Sequence, residues 1–328
     1  MGGLAASAAL LAACDAVRFG ETGGRIRLAI SPGNQTLWRF LEARKDDLLR
    51  QKGHLVDFFD VGDEDEMRGG FLADKYDAIA TLVPAVAQLA DAGQPVKLFQ
   101  PIAWISEGYP LVVPDGSPIR TVADVQGKRV ATFPLDHPGF AYWRAFLLKH
   151  YGMRGEKVST LPSLGPQEDL AAGQADAAFV SGCGWADLKA TGGFRKVADL
   201  QNEFKWLTGS DRPAVFAGLI AKSSWVEGHA RFVTDLAAAA RQGLDLYKKD
   251  KGAFLDVVTN DPGGIQVGRD ENEAMAAYLG MDAVGSDRAA LSKEDVDDFA
   301  KFFPLMADAG VLKTPPQDAG ALFKVANA

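Results

Sequence analysis

Short apolar runs alternate along this chain with longer stretches in which apolar residues recur every three to four positions. RIRLAI (Arg25–Ile30) predicts a strand and LWRFLEARKDDLLRQK (Leu37–Lys52) an amphipathic helix. HLVDFFD (His54–Asp60) predicts the next strand, after which Asp63 is placed to cap a helix carrying Glu64 and Glu66 in its first turn. YDAIAT (Tyr76–Thr81), a helix from Pro84 and VKLFQPIAWI (Val96–Ile105) complete a first series. A second series follows, with strands at KRVATF (Lys128–Phe133), EKVSTL (Glu156–Leu161) and DAAFVS (Asp176–Ser181), and a helix over Gly139–Tyr151. After a strand at AVFAGLIAK (Ala214–Lys222) the rest is helical, over Val226–Lys249, Glu271–Leu279 and Lys293–Ala309. This alternation predicts an α/β class with largely parallel sheets. FLADKYDA (Phe71–Ala78) and LAAGQADA (Leu170–Ala177) share one pattern, each ending a helix and opening a strand, which predicts two halves of like construction.

Composition narrows the function. With 35 basic against 43 acidic residues the net charge is −8, and no basic patch of the kind that grips a phosphate backbone stands out, so no nucleic-acid partner is expected. Two cysteines and four histidines supply neither a disulfide framework nor the paired spacings of a zinc site. No P-loop, dinucleotide-binding or nucleophile-elbow motif is present, and no cofactor or metal is expected. The acidic run Asp63–Glu66 lacks the spacing of an EF-hand loop and reads as a solvated helix start. Cys183, with no histidine beside it, reads as a small buried thiol rather than a nucleophile.

The N-terminal stretch MGGLAASAALLAA is uncharged and apolar, short of the ~20 residues a spanning helix needs. It fits the apolar region of an export signal, and Leu11-Ala12-Ala13-Cys14 resembles a bacterial lipobox, which implies lipidation of Cys14. No Lys or Arg precedes the run, a departure from ordinary signal peptides that leaves open a start codon upstream of Met1. Asp15 after the cysteine implies retention at the periplasmic face of the inner membrane, with residues 14–24 as a tether.

RIRLAIS, the segment Ala73–Ala78, AGQPVKLF (Ala92–Phe99), LVVPDGSPIRTVADVQGKRVAT (Leu111–Thr132), LAAGQADAAFV (Leu170–Val180) and the helical tail carry a resemblance over nearly the whole chain. Together they resemble the periplasmic solute-binding proteins of ABC importers, of the nitrate/sulfonate/taurine type. The resemblance implies a two-lobed type II periplasmic-binding-protein fold, each lobe a mixed sheet flanked by helices. Residues 25–108 with 215–328 would form one lobe and 109–214 the other, and the chain would cross near Glu107–Pro114 and Trp206–Ala217. A solute would sit in the cleft, where loops leave the carboxyl ends of strands and helix N-termini offer free N–H groups.

On that frame the loop Ser31–Thr36 offers Ser31, Asn34, Gln35 and Thr36 to a ligand, although Asn34 or Thr36 also suits a helix cap. Trp38 either stacks on a ligand or packs in the core, and Trp104 either stiffens the first crossing or touches ligand. Thr81 stands at an equivalent strand end. In the second lobe Phe133, Asp136, His137 and Phe140 occupy the matching loop, where Asp136 either caps the helix or pairs with an amine, ring nitrogen or hydroxyl. Ser181 and Trp185 follow the last strand recognised there. The aromatic and acidic character of these loops tilts the expected ligand from nitrate or a simple sulfonate toward a neutral or partly aromatic organic molecule. The expected partners are that small molecule and an ABC permease. Two other readings are an enzyme on the same fold, such as a pyrimidine-precursor synthase or chorismate-dehydratase-like lyase, and a ligand sensor for a membrane receptor.

Overall fold

The computed structural model describes residues 24–30, 36–106, 109–154, 159–163, 165–260 and 268–325. The strands are β1 (Ile26–Ile30), β2 (Val56–Asp60), β3 (Ala78–Leu82), β4 (Val96–Trp104), β5 (Leu111–Pro114), β6 (Arg129–Thr132), β7 (Ser159–Pro162), β8 (Ala177–Phe179), β9 (Phe194–Ala198) and β10 (Val215–Lys222). They form two five-stranded sheets, ordered β2-β1-β3-β10-β4 and β7-β6-β8-β5-β9. In the first, β1 runs parallel to β2 and β3, while β10 is antiparallel to β3 and β4. In the second, β6 runs parallel to β7 and β8, while β5 is antiparallel to β8 and β9. The two sheets thus share one topology. In each, the antiparallel strand is the one that follows a passage of the chain from the other sheet: β5 after β4, and β10 after β9.

The helices are α1 (Thr36–Ala43), α2 (Lys45–Leu48), α3 (Glu64–Leu72), α4 (Val83–Asp91), α5 (Pro138–Tyr151), α6 (Pro166–Ala171), α7 (Gly182–Thr191), α8 (Leu200–Thr208), α9 (Ser223–Gly228), α10 (Ala230–Lys249), α11 (Lys251–Thr259), α12 (Arg269–Tyr278) and α13 (Lys293–Asp308). Two helices expected to be continuous are broken. Arg44 leaves helical geometry (φ −108°, ψ 13°) between α1 and α2, and His229 does so (φ −118°, ψ 32°) between α9 and α10. Among the described residues no helix is long and apolar enough to cross a membrane.

The shared pattern at Phe71–Ala78 and Leu170–Ala177 has a physical basis. Asp77, just before β3, accepts the backbone N–H of Arg27 and a two-pronged bond from its guanidinium. Asp176, just before β8, does the same for Arg129. In both sheets an aspartate at a strand entrance thus pins the neighbouring parallel strand by charge-assisted bonds. The main core runs through both halves, and Tyr142 and Phe146 of α5, Phe204 of α8 and Phe299 and Phe302 of α13 form one aromatic seam within it. A smaller cluster, including Val112, Leu170, Val180 and Trp185, packs separately in the second half.

Candidate functional site

Between the sheets lies a cavity of about 340 Å³, within the roughly 300–1,000 Å³ range of small-molecule sites. Its wall on the first-sheet side comes from the start of α3 (Gly62–Asp65, Arg68), the end of β3 (Ala80, Thr81, Leu82), Ala103 of β4, and Phe216 and Ala217 of β10. From the second-sheet side come Phe133, Pro134, Asp136, His137 and Pro138 after β6, and Ser181 and Gly182 after β8. Tyr109, which precedes β5, and Tyr278 of α12 complete the wall. The N-terminal ends of α3, α4, α5 and α7 therefore converge here, each following a strand's carboxyl end, the place where open α/β sheets bind ligands.

Several wall groups are held by their own backbone. His137, rather than Asp136, is the N-cap residue of α5; its Nδ1 accepts the N–H of Gly139 at 3.1 Å. That bond fixes the tautomer, leaving the hydrogen on Nε2. Burial pushes the His137 imidazole down to about 4, so it is neutral at pH 7. Ser181 caps α7 by accepting from the N–H of Gly184 at 3.2 Å. Asp63 caps α3 as its position predicts, accepting from the N–H of Glu66 at 2.8 Å. Tyr109 sits in left-handed backbone geometry (φ 48°), an unusual conformation for a large side chain. Its ring lies 5.5 Å from that of Phe133 and 5.6 Å from that of Phe216, while Phe133 stacks on His137 at 4.7 Å.

The acidic run is not merely a solvated helix start. Glu64 is half-buried in the cavity wall, and the Thr81 hydroxyl donates to its Oε1 in a short hydrogen bond. Burial outweighs that bond and the nearby Arg68, and raises the Glu64 carboxyl to about 7. A folded-state value above the unfolded one near 4.3 means that the native chain holds this proton longer, so stability falls as pH rises from about 4 to 7. Glu64→Gln is accordingly expected to stabilise the ligand-free chain above pH 7 by on the order of 1–3 kcal/mol and to change little at pH 4. Thermal melts at the two pH values check this; equal effects at both would refute it.

Of the residues singled out from sequence, Thr81, Phe133, Asp136, His137 and Ser181 line the cavity together. Trp38, Trp104, Phe140 and Trp185 do not line it, and are 0%, 1%, 1% and 7% exposed. Trp38 packs edge-on against Phe58, Phe140 and Trp143 against Phe179, and Trp185 within the smaller core. Thr36 is buried, its hydroxyl 3.5 Å from the carbonyl of Asn272. Ser31, Asn34, Gln35 and Cys14, and the side chain of Cys183, lie outside the described residues. Sequence reading missed Tyr109, Phe216, Tyr278, Glu64 and Arg68. Only the acidic run offered a signal for any of them.

Contacts also bridge the two halves. Gln88 Nε2 of α4 donates to the carbonyl of Asp136 at 3.1 Å, and the Tyr142 hydroxyl of α5 donates to the carbonyl of Phe216 at 3.1 Å. Tyr278 accepts at its hydroxyl from the N–H of Tyr109 at 3.2 Å and lays its ring against Gly182.

The profile of the ABC-transporter phosphonate periplasmic substrate-binding family matches residues 38–231. No curated protein sequence matches the chain. Among solved structures it is similar to the periplasmic aliphatic sulphonate binding protein SsuA of Escherichia coli, with 13% identity, TM-score 0.69 and 94% of each chain covered. It is also similar to the alkanesulfonate-binding protein SsuA of Xanthomonas axonopodis pv. citri, solved with MOPS, with 18% identity, TM-score 0.68 and coverage of 93% of this chain and 100% of that one. A conserved Candida albicans gene product with the generic periplasmic binding protein fold matches at 9% identity and TM-score 0.60, over 93% of this chain and 97% of that one. Two like-built mixed sheets facing across a cavity are that fold. The match over more than half of the chain places it in the phosphonate-type periplasmic substrate-binding family: it is the extracytoplasmic component of an ABC transporter that captures a small solute for a membrane permease.

Proposed function

We propose that the solute is a small organic molecule with a planar or aromatic part, held between two lobes made of residues 25–108 with 215–328 and of residues 109–214. The observation that carries this reading is the cavity wall. Tyr109, Phe133, Phe216 and Tyr278 supply ring surface, and the carboxyl groups of Asp63, Glu64, Asp65 and Asp136 stand against one guanidinium, Arg68. The similar sulfonate-binding structures argue for an oxyanion, and helix N-termini favour one. The four carboxyl groups oppose it by like charge, Glu64 most directly, because it alone of them is drawn out of water, whereas Asp63, Asp65 and Asp136 are exposed and screened. Thr81, Phe133, Asp136, His137 and Ser181 are the ligand contacts proposed among the residues singled out from sequence. In this reading Cys14 is lipidated and tethers the protein to the periplasmic face of the inner membrane, and the chain performs no chemistry.

A thermal-shift screen tests it, with alkyl and aryl sulfonates, nitrate, pyrimidines, amines and aromatic acids. A solute at one hundred times its dissociation constant adds ~2.7 kcal/mol, and the melting temperature is expected to rise by several degrees. The compound should be recovered unchanged. A shift confined to nitrate and simple sulfonates would overturn the ligand class, and consumption of the compound would overturn the binding-only role.

A further inference from the structure

We propose that Glu64 is the counter-ion for a cationic nitrogen on the solute, so that capture and proton release are coupled at this one carboxyl. The proposal rests on the solute-binding reading above and deepens it. Its basis is the different duties of the four acids at the start of α3. Asp63 is committed to capping the helix. Glu66 is exposed and faces Lys75 at 3.9 Å. Asp65 lines the cavity but is exposed, where water screens it. Glu64 alone of the four is drawn inward to the strand end, where Thr81 holds one carboxyl oxygen. It is held in position for a partner inside the cavity, and a polar group with little water is where a charged partner gains most.

The groups around it favour a cation over an anion. Asp63 and Asp65 flank Glu64 on its own element, and Arg68 lies one turn further along α3. Across the cavity stand Asp136 and His137, the latter close enough to α3 for Asp63, Asp65 and Arg68 to act on it electrostatically. The neutral imidazole adds no positive charge near pH 7. Among the described residues, the remaining titratable wall groups are the phenols of Tyr109 and Tyr278. Over the described wall residues the sum is negative even while Glu64 is protonated. The surrounding rings of Tyr109, Phe133 and Phe216 suit a cation attached to a planar body, since aromatic faces also attract positive charge.

Coupling follows from the value of about 7 that burial gives the free carboxyl. A cation binds the ionised form, so below pH 7 each binding event expels a proton, and affinity should weaken by about tenfold per pH unit. Above pH 7 it should level off.

Calorimetry on the full chain with paired probes tests this: benzylammonium against benzyl alcohol, and benzamidinium against benzamide, with phenylphosphonate as the anion. At pH 8 the cationic member of each pair is expected to bind about 10- to 100-fold more tightly than its neutral counterpart. At pH 6 its binding heat should depend on the buffer's ionisation enthalpy, which reports proton release. Glu64→Gln should abolish the proton release and reduce the charge preference to the weaker pull of the exposed wall carboxylates, while its melting temperature at pH 6 shows a folded chain, and Glu64→Asp should retain the sign of both. Equal binding of charged and neutral members, pH-independent cation binding, or binding of phenylphosphonate alone would overturn the Glu64 assignment and leave the solute-binding reading standing. So would failure of every probe while an uncharged or anionic compound of the wider screen binds. No binding in either experiment would overturn the proposed solute class together with it.

Discussion

Gly182→Ala is expected to weaken solute binding by about 100-fold while leaving the chain folded. Gly182 is the first residue of α7, and a Cβ built there would stand 2.0 Å from two ring atoms of Tyr278. Such a contact is forbidden, so either the phenol or α7 must move. The phenol is not a loose end: its hydroxyl accepts from the N–H of Tyr109, and its ring lines the cavity. α12 and α7 meet at the cavity wall, so the relief moves one away from the other and changes the shape of the site. Overpacking of this kind costs about 1–3 kcal/mol, which, placed on the solute-holding arrangement of the wall, is roughly 5- to 150-fold in affinity. The substitution removes no core side chain and crowds only a ring at the edge of the main core, so the melting temperature of the ligand-free protein should change less than the affinity does. Tyr278→Ala in the same chain removes the obstruction and should restore part of the affinity. If Gly182→Ala binds like the parent, or if the second substitution restores nothing, the contact of Gly182 with the Tyr278 ring does not shape the site.

The alternation of strands and helices was legible because parallel strands covered on both faces read as plain apolar runs, as RIRLAI and KRVATF do. The like construction of the halves was legible too, since one aspartate performs one task at both strand entrances, Asp77 with Arg27 and Asp176 with Arg129. Strand β9 went unread because FRKVA is an edge strand of half-buried residues, without the apolar signal of its neighbours. The site was only half legible. Strand-end loops can be placed by pattern, which brought Thr81, Phe133, Asp136, His137 and Ser181 to the cavity. Pattern does not separate an aromatic that stacks on a ligand from one that fills a core, and Trp38, Trp104, Phe140 and Trp185 fill cores. Phe216 lies within a strand that reads as uniformly buried, and Tyr278 reaches the wall from a helix remote in sequence. What distinguishes Glu64 from its acidic neighbours is the contact with Thr81, which lies in the next strand and is invisible in the acidic run itself.

Asp295→Ala is expected to lower stability by about 3–5 kcal/mol, the cost of leaving the largely buried Arg288 guanidinium without its carboxylate and Arg212 with one of its two. Asp295 is 1% exposed and all of its bonding capacity is used. Oδ1 accepts from Arg212 at 2.7 Å and from Arg288 at 2.6 Å, while Oδ2 accepts from the N–H of Ser292 at 2.8 Å and its hydroxyl at 2.9 Å. The Ser292 pair is a capping box that starts α13, so the same substitution also frays the helix. Arg288 in turn donates to the carbonyl of Pro213 at 2.7 Å, and Arg212 reaches Asp298 as well. Arg212 and Pro213 lie in the stretch that returns the chain from the second sheet to the first, so this charge cluster fastens that return to the C-terminal helix. At about 2–4 °C per kcal/mol for a large domain, Asp295→Ala should lower the melting temperature by on the order of 10 °C. Asp295→Asn keeps the size and part of the cap but not the charge, and should fall between the parent and the alanine variant. Asp298→Asn should cost less, because one guanidinium bond is lost there and burial already raises that carboxyl above its ordinary range. Solute affinity measured well below the melting range should be nearly unchanged in all three, since none of these residues reaches the cavity wall. A loss under about 1 kcal/mol for Asp295→Ala would show that water replaces the carboxylate and that the return strand is held by apolar packing alone.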